Sequence, residues 1–399
     1  MVILLLGQCD LGQEGAAHDT PIAGCLQAVE MEGTQSFGAS FCRMEVLGWL
    51  QDVACSRLGE EIGFHVDLVE LLEAVYSLDQ PEGRWLEGIV QVAGRMLDQG
   101  RGVIGCTYDA SRSSVQVGRL TLLGTSSEIS EDMILREISN LPPSYIDATF
   151  RSKKSGVLRE YSKSKEQTFA DSKKLLSSYG IEDTFTVNGI DPNGHGCFIS
   201  IHYPKPIVRI SGGKPFWARV AAHLAAGNRL RRRLARESRL SSELPNGAEA
   251  VLRTDGKIEQ AQVPAQSMVA RDQLRQATLT VQRSRGKLRH SDPLGAVREW
   301  RGLIAARWSL VDHFDHDGKH YILAQRNEPQ TADLGALSER ERQIAAYACM
   351  GHSNKLIAYE LGISASTVSV LLHRAAVKLG VRNRTELTQT IHKKMFSVE

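Results

Sequence analysis

The sequence predicts a multidomain chain in which an α+β region is followed by an all-α domain of four short helices. In the middle of the chain, apolar residues fall in short strand-like runs interleaved with helical stripes. From Leu337 onward only the helical spacing remains, with a cap or glycine signal at nearly every boundary. The charge is also uneven. Leu337 to Glu399 carries nine Lys or Arg against five Glu, a surplus of four in a chain whose total is +2, so the rest is mildly acidic.

At 399 residues, 42% hydrophobic and 24% charged, the chain is of ordinary globular composition and long enough for roughly two to four domains. Its seven cysteines (Cys9, Cys25, Cys42, Cys55, Cys106, Cys197, Cys349) are odd in number and lack C-x-x-C spacing. That points to reduced thiols in a cytoplasm, not to disulfides or a zinc site.

Residues 1–80 read as a lead-in and one helix. Val2 to Leu6 is too short for a membrane span and has no basic residue before it, so it makes a poor signal peptide. Gln8 is too bulky for a lipoprotein reading at Cys9. A phospho-acceptor receiver is excluded too, because only Asp10 follows that run and no βαβ series comes after it. Residues 10–40 have no steady period. From Val66 to Leu78, Leu68, Leu71, Leu72 and Val75 share one helical face.

Residues 81–240 read as one α+β unit. Helix is expected over Arg84–Leu97, strands over 103–108 and 115–124, and helix near Glu131–Asn140 and Tyr145–Phe150. A helix at Asp171–Ser178, strands near Asp183–Val187 and Gly196–Tyr203, and a long helix Pro215–Arg236 complete it. By order of elements the unit resembles a GAF-like sensory domain. Cys106, His195 and Cys197 invite a cofactor, yet none has a recognisable partner spacing, and a buried thiol is the commoner fate. No cofactor is expected. The cluster Asn228–Arg239 is expected as a solvated helix end rather than a second polyanion contact.

Ser241–Gly247 reads as a linker, and residues 246–327 as a smaller α+β segment. A hairpin turning at Asp255-Gly256, a helix over Ala265–Leu288, a break at Pro293 and a second hairpin of Trp308–Phe314 and Lys319–Arg326 resemble a degenerate PAS-like module. His313, His316 and His320 alternate with aspartates, but a wet polar turn accounts for them without a metal. Glu328–Thr331 is read as the last linker. Neither a G-x-x-x-x-G-K-[ST] phosphate loop nor a G-x-S-x-G elbow is present, so no catalytic residue is assigned and an enzyme is not expected.

Residues 332–397 carry the functional argument. Ser338 and Glu341 form a capping box, Gly351 and Gly362 end two helices, and Ser353 and Ser364 cap the next. In the third helix Val368, Leu371, Leu372, Ala375 and Leu379 make the buried stripe, and Ser366, Ser369, Val370, His373, Arg374 and Val377 face outward. Gly380 stops that helix and Thr385 begins a fourth. Two helices joined by a glycine turn, the second with small and polar outward residues, make a helix-turn-helix of major-groove size.

The run LSERERQIAAYACMGHSNKLIAYELGISASTVSVLLHRAAVKLGVRNRTEL resembles the LuxR-type helix-turn-helix of bacterial transcription regulators. The S-x-R-E-R opening, G-x-S-N-K-x-I-A, L-G-I-S-x-x-T-V and K-L-G-V-x-N-R-x-E-L all match. The resemblance implies phosphate contacts from Lys355, Thr367, Lys378 and Arg384, base contacts from positions 369–374, and dimerisation through the fourth helix. Ser369 and Leu371 depart from the family's usual Lys and His, which leaves readout to Val370, His373 and Arg374, with Arg382 a further cation at the interface.

The expectation is a cytoplasmic, signal-responsive regulator that binds a pseudo-palindromic site on double-stranded DNA as a homodimer. RNA polymerase and an unidentified small-molecule signal are further candidate partners, and no membrane is involved. The alternatives are a sensory or nucleotide-handling enzyme with an accessory DNA-binding tail, and a protein-interaction adaptor.

Overall fold

The computed structural model describes residues 67–396 except positions 79, 113, 153–154, 162–166, 208–209, 238–243 and 332–333. The expectations for residues 1–66, including the lead-in and the export question, lie outside the described residues.

Helices α1 (Leu68–Tyr76) and α2 (Glu82–Leu97) come first, the former capped by Asp67. Strands β1 (Val103–Asp109) and β2 (Gln116–Leu123) follow, then α3 (Glu131–Ser139), α4 (Pro143–Ile146) and a π-helical turn, Asp147–Ser152. Next come β3 (Ser155–Val157), α5 (Leu158–Tyr161), α6 (Gln167–Ser178), β4 (Asp183–Ile190), β5 (His195–Tyr203) and the long helix α7 (Gly213–Glu237). The short edge strand β3 was not visible in the sequence, because three residues are too few to show a period.

The five strands form an antiparallel sheet in the order β2-β1-β5-β4-β3. α2 and α7 lie on one face. Close approach requires glycine there: a Cβ on Gly189 of β4 would sit 2.5 Å from the Ala221 carbonyl oxygen and the Ala225 nitrogen of α7. The other face is covered by the 143–152 segment, where Cys106, Tyr108, Ile146, Phe150 and Ile190 form a small cluster.

A second antiparallel sheet, β7-β6-β9-β8, comprises β6 (Ala250–Arg253), β7 (Ile258–Ala261), β8 (Trp308–Phe314) and β9 (His320–Arg326). Between its hairpins lie α8 (Val263–Gln266), α9 (Met268–Arg285), α10 (Lys287–Ser291) and α11 (Pro293–Glu299). Pro293, expected to begin a break, instead opens α11. Its missing N–H costs nothing in a first turn, and Asp292 caps the Gly295 N–H at 2.8 Å. One hydrophobic core joins the two sheets, running from Leu72 and Trp85 through Leu224 to Trp300 and Leu310.

Four helices close the chain: α12 (Glu339–Cys349), α13 (Asn354–Leu361), α14 (Ala365–Lys378) and α15 (Arg384–Phe396). α15 starts one residue before the expected Thr385. Among the described residues no single helix is long and apolar enough to cross a membrane.

Candidate nucleic-acid interface

The local signals in the C-terminal helices act as the sequence implies. Ser338 and Glu341 cap α12 reciprocally, Ser353 accepts from the Leu356 N–H, and Ser364 accepts from the Thr367 N–H at 3.0 Å. Gly362 is left-handed (φ 62°), which ends α13 and turns the chain through 107° into α14. That bend falls in the range of helix-turn-helix pairs. Val368, Leu372 and Ala375 are buried against Ile344, Ile357 and Leu387.

All nine sequence-predicted contact residues are exposed: Lys355, Thr367, Ser369, Val370, His373, Arg374, Lys378, Arg382 and Arg384. Six of them lie on α14. They divide by what they already touch. Lys378 Nζ sits 2.7 Å from Glu341 Oε2. Burial would raise the Glu341 carboxyl, but the ammonium and the Ser338 cap hold it below its ordinary range. Arg384 donates to Asn354 Oδ1 at 2.6 Å and to the His352 carbonyl, and Asn354 donates onward to Ser369 Oγ at 3.0 Å. Thr367 Oγ1 lies 2.8 Å from Ser364 Oγ. Among the described residues the side chains of Lys355, His373, Arg374 and Arg382 have no hydrogen-bond or ion-pair partner. Val370 is half exposed beside them.

The opposite side of the domain was not legible in the sequence. α13 is buried from Ile357 through Leu361, on both its apolar and its polar positions. Tyr359 Oη reaches the Val297 carbonyl (2.7 Å) and the Trp300 carbonyl (2.8 Å), while His223 Nε2 of α7 lies 2.7 Å away. A carbonyl cannot donate, so the arrangement that satisfies most of these atoms sends the Tyr359 proton to a carbonyl and has His223 Nε2–H donate to Tyr359 Oη. His223 Nδ1 then accepts from the Tyr76 hydroxyl at 3.0 Å. Burial lowers this imidazole's pKa to about 3, consistent with a neutral ring.

Two further ties hold the domain in place. Arg229 of α7 pairs with Asp191, donates from Nε to Asn327 Oδ1 at 2.9 Å, and lies beside Tyr347 of α12. Burial drives the Asp191 carboxyl above its usual range, and the Arg229 charge offsets this only in part. Ala305 and Ala306 are both left-handed (φ 51° and 54°). From that loop the Ala306 N–H donates to the Leu361 carbonyl at 2.6 Å, and Arg340 donates to the carbonyls of Ala305 (3.0 Å) and Ala306 (2.7 Å). The segment read as the last linker is itself pinned. Glu328 pairs with Arg307, Pro329 is buried, and the Pro329 carbonyl accepts from Gln343.

The Arg cluster of α7 also departs from expectation. Arg229 and Arg231 are buried, not solvated, because Asp191 and Glu82 meet them from distant parts of the chain. The available signal for α13 was its own composition. An eight-residue helix reading NKLIAYEL is apolar or aromatic on more than one side, which implies burial on more than one side.

Residues 335–391 match the family model of bacterial regulatory proteins, luxR family. The HTH-type transcriptional regulator MalT of Vibrio cholerae is 28% identical over 110 residues, covering 26% of this chain and 12% of that protein. MalT of Serratia proteamaculans is 32% identical over 77 residues, covering 19% and 8%. The match thus spans about an eighth or less of the length of these curated relatives. Among solved structures, Escherichia coli SdiA is 11% identical, with 80% of this chain and 92% of that chain covered and a TM-score of 0.25. SdiA in complex with octanoyl-rac-glycerol gives 12%, 84%, 96% and 0.26. Scores this low mark a loose superposition. The C-terminal segment is a LuxR-family helix-turn-helix domain, preceded by an α+β region built on two sheets.

Proposed function

We propose that this chain is a signal-responsive transcription regulator that binds double-stranded DNA as a homodimer, with the outward face of α14 entering the major groove. The observation that carries this reading is the division on the helix-turn-helix surface. Among the described residues, Lys355, His373, Arg374 and Arg382 stand exposed without a protein partner on a groove-sized helix and its flanks. Exposed Lys and Arg with a hydrogen-bonding imidazole between them are what a phosphate backbone and base edges recruit. Lys378 and Arg384 would exchange their internal acceptors for phosphate, and Thr367 and Ser369 would add neutral contacts. The MalT relatives, named as transcriptional regulators, support the same reading over the matched segment.

The antiparallel sheet and helices of residues 81–240 support a GAF-like sensory unit, and the four-stranded sheet of 246–327 supports a PAS-like one. The grip of α7 and α11 on α13 supports a regulator whose sensory region controls how freely the helix-turn-helix moves. RNA polymerase is the further partner such a regulator would meet.

A gel-shift series at two salt concentrations tests this. Retention of genomic fragments should fall steeply with salt, about one log–log unit per phosphate contacted. Arg374→Ala should relax base preference by about 1–3 kcal/mol at one position. Lys355→Ala should weaken all sequences alike. It is cleaner than Lys378→Ala, which also strips Glu341 of its partner. Absence of salt-sensitive retention would overturn the reading.

A further inference from the structure

The C-terminal half of α7 borders an open cleft of about 420 Å³ on the helix-bearing side of the five-stranded sheet. Asn228, Arg231, Arg232, Ala235 and Arg236 recur there at i, i+3, i+4, i+7 and i+8, one stripe of a helix. Facing them are Thr107 and Asp109 of β1, Gln116 and Gly118 of β2, His195 and Glu82. Ala235 leaves space between the longer side chains.

The charges in this cleft do not cancel. Arg231 Nη2 is satisfied by Glu82 Oε1 at 2.8 Å, and that carboxylate also accepts from Thr107 Oγ1 at 3.2 Å. Asp109 accepts from the Ser111 N–H at 2.8 Å and lies 3.7 Å from His195. Among the described residues neither Arg232 nor Arg236 has an ion pair or side-chain hydrogen bond. Burial, and after it the neighbouring Arg236, push the Arg232 guanidinium below its usual range, while Asp191 and Asp109 pull the other way. Buried polar atoms are left over as well. Asn228 is 2% exposed, and among the described residues both Asn228 Oδ1 and Arg231 Nε lack a hydrogen-bond partner. Unpaired buried groups are costly, so such a position points to something not yet bound.

We propose that this cleft is a binding site for a small hydroxylated phosphate monoester, with Arg232 and Arg236 taking the phosphate and Asn228 and Asp109 accepting from hydroxyls on its body. Two guanidiniums one helical turn apart, without a partner among the described residues, match an anion with several oxygens. A carboxylate and an amide oxygen beside them are acceptors that a bare inorganic anion would leave unused. The same helix carries His223 and Arg229, which hold α13 and α12. That the ligand serves as the regulator's signal rests on the function proposed above; its binding does not.

Isothermal titration of the full chain with glycerol 3-phosphate, inorganic phosphate and glycerol tests the site. Glycerol 3-phosphate should bind one per chain and more tightly than phosphate, and glycerol should give no heat. Arg232→Gln/Arg236→Gln should weaken glycerol 3-phosphate by at least about tenfold, as loss of charge-assisted hydrogen bonds predicts. Arg271→Ala, at an exposed position of α9 outside the cleft, should leave that affinity unchanged. Arg236→Gln alone, at an exposed position, should show a smaller loss and guards against misfolding of the double variant. Binding that survives the double variant, or absence of heat with glycerol 3-phosphate, overturns the proposal. So does loss of duplex DNA affinity in the double variant with glycerol 3-phosphate binding intact, which would make these arginines a second DNA contact. None of the calorimetry uses DNA, so failure of the DNA-binding reading would be seen separately.

Discussion

The outward face of α14 and the inward face of α13 belong to one small domain and draw on the same residue types. On α13, Tyr359 is joined to His223 and two main-chain carbonyls, and Leu361 of α13 and Arg340 of α12 are bound to a loop of the neighbouring segment. On the outward side, Lys355, His373, Arg374 and Arg382 meet no protein group among the described residues. A polar side chain taken up by internal partners fixes structure, whereas one left in water is available for a ligand. The difference predicts that the inward face governs stability and the outward face governs recognition.

The strongest way to break this contrast is to remove Asp191. Asp191→Ala leaves the Arg229 guanidinium buried without its counter-charge, and loss of one partner from a buried pair costs about 3–5 kcal/mol. Urea unfolding of the full chain should show it, and a loss below about 1 kcal/mol would mean that the pair does not hold the domain.

Acid tests the same face more gently. His223 has a pKa of about 3 in the folded chain against an ordinary 6.5, so the unfolded chain takes up the proton first. Its contribution is therefore complete above pH 6.5 and is lost progressively as pH falls toward about 3. At about 1.4 kcal/mol per pH unit, some 2 kcal/mol should be gone by pH 5. His202 in the sheet, lowered by burial to about 4, acts in the same direction, so His223→Gln should flatten the profile only in part. A variant with an unchanged pH profile would remove His223 from the account.

The smallest stability effect belongs to the outward face. Arg374→Ala and Lys355→Ala should change unfolding free energy by no more than about 0.5 kcal/mol, because neither side chain has a partner to lose among the described residues. A larger loss would show that this face is structural after all and would erase the contrast.

The outward face and the local architecture were legible in the sequence because their signals are local. Capping pairs such as Ser338 and Glu341, the left-handed Gly362 and the Val368–Leu372–Ala375 stripe act within a few residues. Both hairpins of the second sheet fell where turn residues and alternation put them. The inward face was not legible, since its partners are far apart in sequence. His223 meets Tyr76 147 residues before it and Tyr359 136 residues after it. No period links such positions. The Arg cluster of α7 misled for the same reason. Local charge density suggests water, but Asp191 and Glu82 bring counter-charge from elsewhere.

Ala305 and Ala306 hold a backbone shape that alanine disfavours by roughly 1–2 kcal/mol per residue. Their amide and carbonyl groups are spent on Leu361 and Arg340, so the loop is spring-loaded in the sense that its awkward posture is kept by the domain it clasps. Once the clasp opens, relaxation of those two alanines opposes its closing again. A tail fastened by such a catch is expected to depart as a unit rather than by gradual fraying, because the two alanines relax only when the Leu361 and Arg340 bonds are lost together.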